Sequence, residues 1–367
     1  MKQHKILIPS IDSVKEKNIL QFSSLSNYGY KFIVISNSIG EVHLERNIEH
    51  YPFLKVYVVR GGYMGSLMRL LILFKVVLTQ RISLAEIYPH GFFEFLNIVI
   101  LRILGIKLLF IGRGPEYTYQ NGLMPKRQRF FFRFSYRLCE NVIMKERYME
   151  RMMTELGVKN TFTLPNSVRI PDFPKDHFQH RCNFIFVNSF KVFRYPEVAV
   201  EAFIKMMRSQ ELATFSGEVK LFVIGYDVGD NIISRNTVES LVKKNEDLNI
   251  SLIPFTKNVE PYYTESDVFL LPASLVYVNH SLLEAMSRGL CPIIQDAVDS
   301  DLLMVHGESG FILKPDPDLW KDVMTECVLN TERRSRLGRN AREFIKENFS
   351  DVNYTHKYKL IYEELIS

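Results

Sequence analysis

The chain has 367 residues, 47% of them hydrophobic, which is enough for two globular domains with separate cores and excludes a disordered chain. Its four cysteines are widely spaced, which excludes a zinc-binding pattern and a dense disulfide framework and favours buried thiols in a reducing compartment. The net charge of +5 is uneven, because residues 1–170 hold 24 Lys and Arg against 12 Asp and Glu, whereas the remainder holds 22 against 29.

The basic first half favours an anionic partner, such as a phosphorylated acceptor, a membrane surface or nucleic acid. A solvated basic face without a partner fits the same counts. The first residues, MKQHKILIPSID, pass directly into a strand pattern, so we expect a protein that is not exported. Two apolar runs, LMRLLILFKVVL and FFEFLNIVILRILGIKLLFI, are interrupted by charged or polar residues, and neither is expected to cross a bilayer.

In the first half, short apolar runs alternate with longer runs of helical periodicity. The apolar runs predict buried strands at KILIPSI, YKFIVIS, KVYVVRG, LAEIYPH, KLLFIGRG, NVIMKE and TFTLPNS. The helical runs cover residues 15–27, 66–79 and 127–139. Strands that alternate with helices in this way predict a parallel sheet.

The same alternation resumes in the second half, after a break rich in proline, histidine and charge at NSVRIPDFPKDHFQHRCN. Strands are predicted at NFIFVNS, KLFVIGY, ISLIPF, DVFLLPA and CPIIQD, and helices near residues 196–208, 237–245, 281–288 and 319–329. A long, mostly helical tail follows residue 331. The pattern therefore predicts two separate parallel sheets joined by a linker.

Two cations, Lys191 and Arg194, stand in the loop between the strand NFIFVNS and the next helix. Open parallel sheets bind ligands beyond the carboxyl ends of their strands, so we expect a site between the two domains. Cations beside a helix N-terminus favour a diphosphate, because side-chain charges and backbone N–H groups act on the same anion. Either residue alone is more often a solvated surface charge. Two cations in one loop are more informative, because the second half of the chain is acidic overall.

The stretch LLPASLVYVNHSLLEAMSRGLCPII predicts a strand, a polar loop and a helix that begins near Ser281, whose hydroxyl suits a cap or first-turn position. Amides of the loop and first turn favour a phosphate, and Glu284 in that turn is predicted to accept hydrogen bonds from a sugar diol. A carboxylate that only offsets the helix dipole is the alternative. Gly225, which ends another strand, permits close approach of a ligand or a neighbouring backbone, or a simple turn.

Three polar residues of the first half also stand at predicted strand ends: His90 after LAEIY, and Arg113 and Glu116 after KLLFIG. An arginine followed by Gly-Pro and a carboxylate favours a binding site. A single histidine is more often a core or turn residue.

The segment MPKRQRFFFRFSYR interleaves five basic residues with five aromatic ones. A core helix with a basic exposed face is the favoured interpretation. An amphipathic helix on a membrane surface comes second, and a nucleic-acid face third.

Six segments follow one another in an order that is typical of a known protein family. They are LSNYGYKFIVIS, LGVKNTFTLPNSV, NSFKVFRYPEVAVEAF, PYYTESDVFLLPAS, SLLEAMSRGLCPII and GRNAREFIKENFS. Together they resemble a GT-B glycosyltransferase, and those of the second half resemble glycosyltransferase family 4, whose members are retaining and use nucleotide sugars. The resemblance implies an α/β protein with two Rossmann-like domains facing each other across a cleft and a C-terminal helix crossing back to the first domain.

Combined with the sequence pattern, the resemblance gives four segments. They are an acceptor-side domain at residues 1–172, a linker at 173–181, a nucleotide-sugar-binding domain at 182–345 and a returning helix at 346–367.

The resemblance also implies roles for individual residues. Lys191 and Arg194 match the basic pair that neutralises the donor diphosphate, and Glu284 matches the glutamate that holds the ribose. The expected donor-binding residues are Lys191, Arg194, Gly225, Phe255, His280, Ser281, Leu282 and Glu284. The candidates for a catalytic role around the sugar and acceptor are Arg113, Glu116 and His90. No metal or other cofactor is expected, since the nucleotide sugar is a substrate.

The sequence departs from the family pattern at three places. Val276 stands eight residues before Glu284, where the E-x7-E motif has its first glutamate. Arg113 stands where a histidine is frequent, and PSIDSVKEK replaces the glycine-rich loop after the first strand. The residues expected to bind the nucleotide therefore match the family pattern, whereas those expected to bind the sugar depart from it.

The sequence thus predicts a glycosyltransferase that moves a sugar from a nucleotide-sugar donor to a hydroxyl of a glycan or lipid-linked glycan in cell-surface polysaccharide biosynthesis. The expected location is cytoplasmic, with the basic first domain as a candidate contact to an anionic membrane surface and nucleic acid not expected. A non-catalytic GT-B protein that binds nucleotide or glycan as partner of an active transferase is the alternative. Another GT-B enzyme, such as an epimerase or phosphorylase, would need carboxylate or phosphate-site signatures that the sequence lacks.

Overall fold

The chain divides into two compact units in the computed structural model. The first unit combines Met1–Pro165 with Tyr354–Ser367, and the second is Asn166–Asn353. The residues described are 3–40, 45, 47–88, 92–112, 119, 122, 124–146, 149–172, 180–191, 193–226, 231–274, 276 and 279–367.

The second unit begins before the predicted boundary at residue 172. The reason is a backbone interaction, because the N–H of Val168 donates to the carbonyl of Phe349 at 2.9 Å and Val168 forms a bridge with Ser350. Most of the predicted linker, residues 173–179, lies outside the described residues.

The first unit is a parallel sheet with connecting helices. Its strands are β1 (His4–Val14), β2 (Tyr30–Ile39), β3 (Leu54–Val58), β4 (Ile82–Ile87), β5 (Leu108–Ile111), β6 (Asn141–Met144) and β7 (Asn160–Thr163). Its helices are α1 (Glu16–Ser26), α2 (Tyr63–Thr79), α3 (Phe92–Ile103), α4 (Lys126–Cys139) and α5 (Met149–Leu156). The strand order is β3-β2-β1-β4-β5-β6-β7, so the chain changes direction across the sheet between β1 and β4.

The second unit repeats this plan. Its strands are β8 (Phe184–Val187), β9 (Leu221–Tyr226), β10 (Ile250–Pro254), β11 (Val268–Leu271), β12 (Cys291–Gln295) and β13 (Phe311–Leu313). Its helices are α6 (Pro196–Met207), α7 (Ile232–Lys244), α8 (Glu260–Glu265), α9 (His280–Ser287), α10 (Pro317–Leu329) and α11 (Thr331–Phe349). A last helix, α12 (Asp351–Ile366), leads from this unit into the first.

The second sheet is also parallel, in the order β10-β9-β8-β11-β12-β13. Alternate residues of its strands enter different cores. In β8, Phe184 and Phe186 belong to the cluster that contains Trp320 of α10, whereas Ile185 belongs to the cluster that contains Leu283 of α9. The order reverses between β8 and β11, which places the topological switch point, and hence the ligand crevice of an open sheet, at the carboxyl ends of these two strands.

The end of α12 is attached to the first unit by a buried carboxyl group. Glu86 of β4 is completely buried and accepts hydrogen bonds from the hydroxyls of Tyr88 at 2.8 Å and Tyr358 at 2.7 Å, and from Tyr362. The ring of Tyr362 also packs edge-on against Tyr30 of β2, with the ring centroids 4.9 Å apart. A carboxyl group buried in this way needs such partners, so the tyrosines of α12 complete the core of the first unit.

The predicted fold class is confirmed, because both units contain parallel sheets with alternating helices and every predicted strand is present. The sequence pattern did not predict α3, α5, α8 or β13. Helix α3 begins in a run whose apolar residues cover all sides of the helix, and β13 is only three residues long. All four cysteines are buried free thiols, as expected.

Replacing Tyr358 by phenylalanine tests the attachment of α12. The variant loses one hydrogen bond to Glu86, so we expect a loss of about 1 kcal/mol in the free energy of unfolding. In a unit of this size the melting temperature should fall by about 2–4 °C, measured by differential scanning calorimetry.

The matched control is Tyr28→Phe, since no hydrogen bond of the Tyr28 hydroxyl is found among the described residues and its ring remains beneath Lys359. Equal melting temperatures for Tyr358→Phe and Tyr28→Phe would contradict the structural role of the Glu86 cluster.

Candidate functional site

The loops that follow β8 and β11 are joined to each other by backbone pairing. The N–H of Tyr195 donates to the carbonyl of Pro272 at 2.8 Å, and the N–H of Ser274 donates to the carbonyl of Phe193 at 3.2 Å. Arg194 and Ala273 therefore form an antiparallel bridge. This pairing fixes two strand-end loops at the switch point, which is where the sequence analysis placed the basic pair.

Part of the guanidinium group of Arg194 is buried, although the residue as a whole is half-buried. Its Nε and Nη1 atoms are inaccessible to solvent and have no hydrogen-bond partner within the described part of the chain. Burial lowers the pKa of Arg194 to about 10. The neighbouring ring of Phe193 lies 5.7 Å from Cζ. A buried cation without an anionic partner is costly, and such groups occur where a site is built to receive an anion.

Lys191, the other cation of the predicted pair, lies in the same turn with an exposed side chain. Its carbonyl accepts a hydrogen bond from the N–H of Arg194 at 2.8 Å, so the two residues are held in one short turn. The structure therefore gives the pair different environments. Arg194 is fixed by burial, whereas the flexible ammonium group of Lys191 is free to approach an anion from solvent.

The N-terminus of α9 differs in detail from the prediction. The helix begins at His280, and its cap is Asn279 rather than Ser281, because the side chain of Asn279 accepts a hydrogen bond from the N–H of Leu282 at 3.1 Å. The amide of Leu282 is thus already hydrogen-bonded within the protein, and its contact with a phosphate stays a prediction. Among the three predicted amides, that of Ser281 remains as a described donor in the first turn.

Glu284 lies in the second turn of α9 rather than the first, as its position five residues after Asn279 shows. The helix dipole acts mainly within the first turn, so this position weakens the alternative in which Glu284 only offsets the dipole. The hydroxyl of Tyr263, on α8, lies 3.2 Å from Oε2 of Glu284 and 3.1 Å from the carbonyl of Ser281. Tyr263 therefore holds the carboxylate against the start of the helix.

The carboxylate of Glu284 is half-buried, and its pKa is raised by that burial. Arg288 partly opposes this shift, although its guanidinium group contacts the backbone carbonyl of Glu284, at 2.8 Å, and the carboxylate of Glu260. Glu284 is thus a carboxylate kept near the surface without a cation bound directly to it. This is suited to accepting hydrogen bonds from neutral hydroxyl groups.

Gly225, Phe255 and Val276, which the sequence singled out, also belong to the second unit. Gly225 has a positive φ of 109°, and a side chain there would lie 2.7 Å from the carbonyl oxygen of Asn188, so the close approach is to a neighbouring backbone. Phe255 follows β10 with an exposed ring. Val276 is completely buried in the core beneath α9, beside Leu282 and Leu283.

In the first unit, the predicted residues His90, Arg113 and Glu116 lie outside the described residues. Close to the switch point of this sheet, the structure shows a buried polar pair that the sequence analysis did not single out. Glu94, in the first turn of α3, accepts a hydrogen bond from the hydroxyl of Ser10 at 2.9 Å. Its signal in the sequence was only that it interrupts an apolar run.

Two residues that support the site, Asn279 and Tyr263, were also missed. Asn279 has a readable signal, because asparagine is a preferred cap residue and stands directly before the helix. Tyr263 has none, since it reaches Glu284 from another helix that is distant in sequence. Within the described ranges, no helix is long and apolar enough to span a bilayer.

The same architecture occurs in solved glycosyl-transfer proteins. A glycosyltransferase from Rickettsia africae superposes with a TM-score of 0.73 at 12% identity, over 100% of both chains. The Anabaena protein HepE in complex with UDP-glucose gives 0.72 at 14%, over 98% of this chain and 99% of that one. Sucrose-phosphate synthase from Thermosynechococcus elongatus gives 0.71 at 16%, over 99% of each. These likenesses establish the GT-B fold.

The family follows from the sequence itself. The profile of the family described as "Glycosyl transferases group 1" matches residues 148–344, and the chain belongs to this family. An uncharacterised glycosyltransferase from Methanocaldococcus jannaschii is 25% identical over 203 residues. The match covers 53% of this chain and 48% of that protein, so the chain spans about half the length of this curated relative.

The raised pKa of Glu284 predicts how this residue affects stability. The folded protein holds the proton more tightly than the unfolded chain, so the contribution of Glu284 to stability falls as the pH rises through the ordinary glutamate range toward the raised value. Glu284→Gln removes the cost of burying the charge and retains an acceptor for Tyr263. We expect the variant to melt at a higher temperature than the wild type at pH 7.5, with a smaller difference at pH 5.

Glu246→Gln is the control, because it neutralises an exposed glutamate of the same unit. A Glu284→Gln variant that melts below the wild type at pH 7.5, or a difference that does not change with pH, would show that burial does not dominate the energetics of this carboxylate.

Proposed function

We propose that this chain transfers a sugar from a nucleotide-sugar donor to a hydroxyl of a glycan or lipid-linked glycan, and that it acts in the synthesis of cell-surface polysaccharide. The family membership supports glycosyl transfer in general. The location of the donor site is supported by the arrangement of Arg194, Lys191 and α9 at the switch point of the second sheet.

The observation that carries the proposal is the guanidinium of Arg194, whose buried Nε and Nη1 have no hydrogen-bond partner among the described residues. A diphosphate would supply the missing anion, and Arg194 would bind it with charge-assisted hydrogen bonds. Lys191, in the same turn, would add a second positive charge from the solvent side. In our proposal these cations stabilise the negative charge that develops on the leaving diphosphate as the anomeric C–O bond breaks. Breaking this bond is the step of glycosyl transfer that most requires stabilisation of its transition state. No metal ion has a role in it.

Glu284 would hold the ribose of the donor. A carboxylate without a directly bound cation accepts hydrogen bonds from the two hydroxyls of a ribose, and Tyr263 keeps it in position. The amide of Ser281 would donate to a phosphate oxygen at the helix N-terminus. Among the other predicted donor-binding residues, Phe255 has an exposed ring that could stack on a base, whereas Gly225 serves the packing of the loop.

Uridine diphosphate is the first nucleotide to test. Two structural neighbours were solved with it: Anabaena HepE with UDP-glucose, with UDP and glucose, and with UDP, and a Staphylococcus aureus TarM variant with UDP. Each neighbour is 14% identical to this chain in sequence. Such a likeness shows the fold alone, so the base of this chain's own donor is part of the proposal.

We propose a retaining reaction of the family 4 type, with a changed sugar pocket. Val276, at the position that we align with the first glutamate of the E-x7-E motif, has its side chain in the hydrophobic core and cannot hydrogen-bond a sugar. The sugar must then be oriented by other groups, for which His90, Arg113 and Glu116 remain the candidates. Glu94, buried beside Ser10 in the first unit, is a further candidate for contact with the acceptor side.

The non-catalytic alternative is favoured by one observation, the buried Val276. A protein that binds a nucleotide but cannot orient the sugar would keep Arg194 and Glu284 and still lack turnover. Both interpretations therefore predict nucleotide binding, and only the measurement of product separates them.

Arg194→Met tests the donor site. We expect UDP to raise the melting temperature of the wild type, because a ligand that binds only the folded state stabilises it. The variant should bind UDP about 10- to 100-fold more weakly, since hydrogen bonds between charged groups contribute most per contact. The variant itself should melt no lower than the wild type, because methionine removes an unpaired buried charge. Scanning fluorimetry over a UDP titration measures both quantities.

The matched control is Arg208→Met, an exposed arginine at the end of α6 that pairs with Asp247. This variant should show the wild-type response to UDP. If Arg194→Met responds to UDP as the wild type does, and GDP, ADP and CDP give the same result, the diphosphate site does not lie at Arg194.

Turnover separates the enzyme from the non-catalytic alternative. The purified protein should release nucleoside diphosphate from one member of a panel of nucleotide sugars, with and without glycan acceptors, and EDTA should not change the rate. The double variant Lys191→Met with Arg194→Met should release none. Nucleotide binding without release from any donor would favour the non-catalytic alternative, and the anomeric configuration of the product, read by NMR, tests retention.

A further inference from the structure

One face of the first sheet carries four helices, α2, α3, α4 and the shorter α5. The connections β3-α2-β4, β4-α3-β5, β5-α4-β6 and β6-α5-β7 all step in the same direction across the sheet. Crossovers between parallel strands are right-handed, so these helices cover the same face. The rings of Phe92 and Phe95 on α3 lie 5.4 Å from that of Phe131 on α4, which confirms that these two are neighbours.

The opposite face is covered by α1 and α12. The connection β1-α1-β2 steps in the other direction, and residues of α1 share a core cluster with Tyr358 and Tyr362 of α12. The terminal helix therefore does not cover α2, α3 or α4.

The charge on three of these helices, α2, α3 and α4, is almost entirely positive. They contain eight basic residues: Arg69, Lys75, Arg102, Lys126, Arg127, Arg129, Arg133 and Arg137. Their acidic residue, Glu94, is buried against Ser10 and does not face solvent. Helix α5 on the same face adds Arg151 together with Glu150 and Glu155, and Arg102 pairs with Glu140, so the positive excess of this face lies mainly on α2 and α4.

The basic side of α4 forms a groove that also exposes aromatic rings. A cavity of about 680 Å³ is lined by Lys126, Arg129, Arg133, Arg137 and the rings of Tyr119, Phe130 and Phe134, with Glu155, Leu156 and Gly157 at one side. Phe130 and Phe134 are 53% and 42% exposed, although Phe132 and Tyr136 on the other side of the same helix are buried. The one carboxylate of the lining, Glu155, already pairs with Arg151 at 3.2 Å.

Helix α2 presents an apolar stripe to solvent. The exposed side chains recur at helical spacing and are Met64, Leu67, Met68, Leu71, Phe74 and Leu78. Leu71 is 66% exposed and Leu78 is 75% exposed, values that are unusual for leucine in a monomeric protein when several such residues adjoin. Basic residues Arg69 and Lys75 lie within the same helix.

We propose that this face, formed by the groove of α4 and the stripe of α2, docks on the surface of a bilayer that contains anionic phospholipids. The arginines and Lys126 would bind the headgroup phosphates, and the side chains of Phe130, Phe134 and the α2 stripe would enter the boundary between headgroups and acyl chains. Positive charge beside exposed large apolar side chains is the composition of a membrane-surface helix, and α2 and α4 contain no acidic side chain that opposes it.

A lipid surface fits these observations better than nucleic acid. Leucine and methionine side chains have no partner on a phosphodiester backbone, whereas a bilayer accepts both the charge and the apolar stripe. The proposal does not rest on the reaction proposed above, because lipid binding can be measured without donor or acceptor. It specifies where a lipid-linked acceptor would meet the first unit.

Vesicle flotation tests the proposal with the full chain. Vesicles of phosphatidylcholine and phosphatidylglycerol at 3:1 should bind the protein, vesicles of phosphatidylcholine alone should bind it far less, and salt should weaken the binding. Arg133→Gln with Arg137→Gln should lower the partition coefficient about 30-fold, because each basic residue near an anionic surface contributes about fivefold. Leu71→Ser with Leu78→Ser should lower binding and leave its salt dependence unchanged.

The controls carry the same chemical changes elsewhere. Lys243→Gln with Lys244→Gln removes two exposed charges from the second unit, and Leu360→Ser removes an exposed leucine from α12 on the opposite face. Both should bind vesicles as the wild type does, and all variants should keep the wild-type melting temperature.

Binding that is equal for both vesicle types, or unchanged in the Arg133/Arg137 and Leu71/Leu78 variants, would overturn the proposal. So would tighter binding to a single-stranded oligonucleotide than to the anionic vesicles at the same salt concentration.

Discussion

The backbone pairing between residues 193–195 and 272–274 is the interaction on which the candidate site depends. Two hydrogen bonds join the loops that leave the central strands β8 and β11, and the rest of the site is arranged around them. They place Arg194 in a fixed position beside Ala273, a few residues before α9. Because each loop takes its position from the other, a shift in one would move the cation on the first loop and the helix N-terminus after the second.

Two groups at this site are held in ways that favour binding over stability. Within the part of the chain that the structure describes, the guanidinium of Arg194 lacks partners for two of its nitrogens, and Glu284 is a half-buried carboxylate without a direct counter-charge. A few other buried polar atoms of the described residues, such as Nε of Arg69 and Oε1 of Gln295, also lack a partner, whereas the completely buried carboxylate of Glu86 is satisfied by three tyrosines. Natural proteins depart from local optimality mainly where function requires it, so the contrast between Glu86 and Arg194 is itself an argument for a ligand at Arg194.

The sequence was sufficient for the fold, because the strands depend on local patterns. Alternating apolar runs locate the strands, and the residues that follow them must lie at one edge of a parallel sheet. Lys191, Arg194 and the helix that carries Glu284 were expected at that edge for this reason, and their roles in binding a donor stay predictions. The supporting contacts could not be predicted in this way. Tyr263 reaches Glu284 across two helices, and Val276 becomes a core residue only through the path of its loop. Packing of α4 against α3 and Tyr119 likewise determines that Phe130 is exposed and Phe132 is buried.

The uneven charge of the chain has two separate physical origins. In the first unit, the positive charges lie on the outer surfaces of helices, where they remain hydrated and act on a partner over a distance set by screening. In the second unit, which is acidic overall, the positive charge of Arg194 is partly withdrawn from water at a strand end, where its effect is confined to contact distance and is far stronger. A net count cannot distinguish these arrangements, although they suit different ligands. An extended anionic surface requires many hydrated charges, whereas one diphosphate requires few charges in fixed positions.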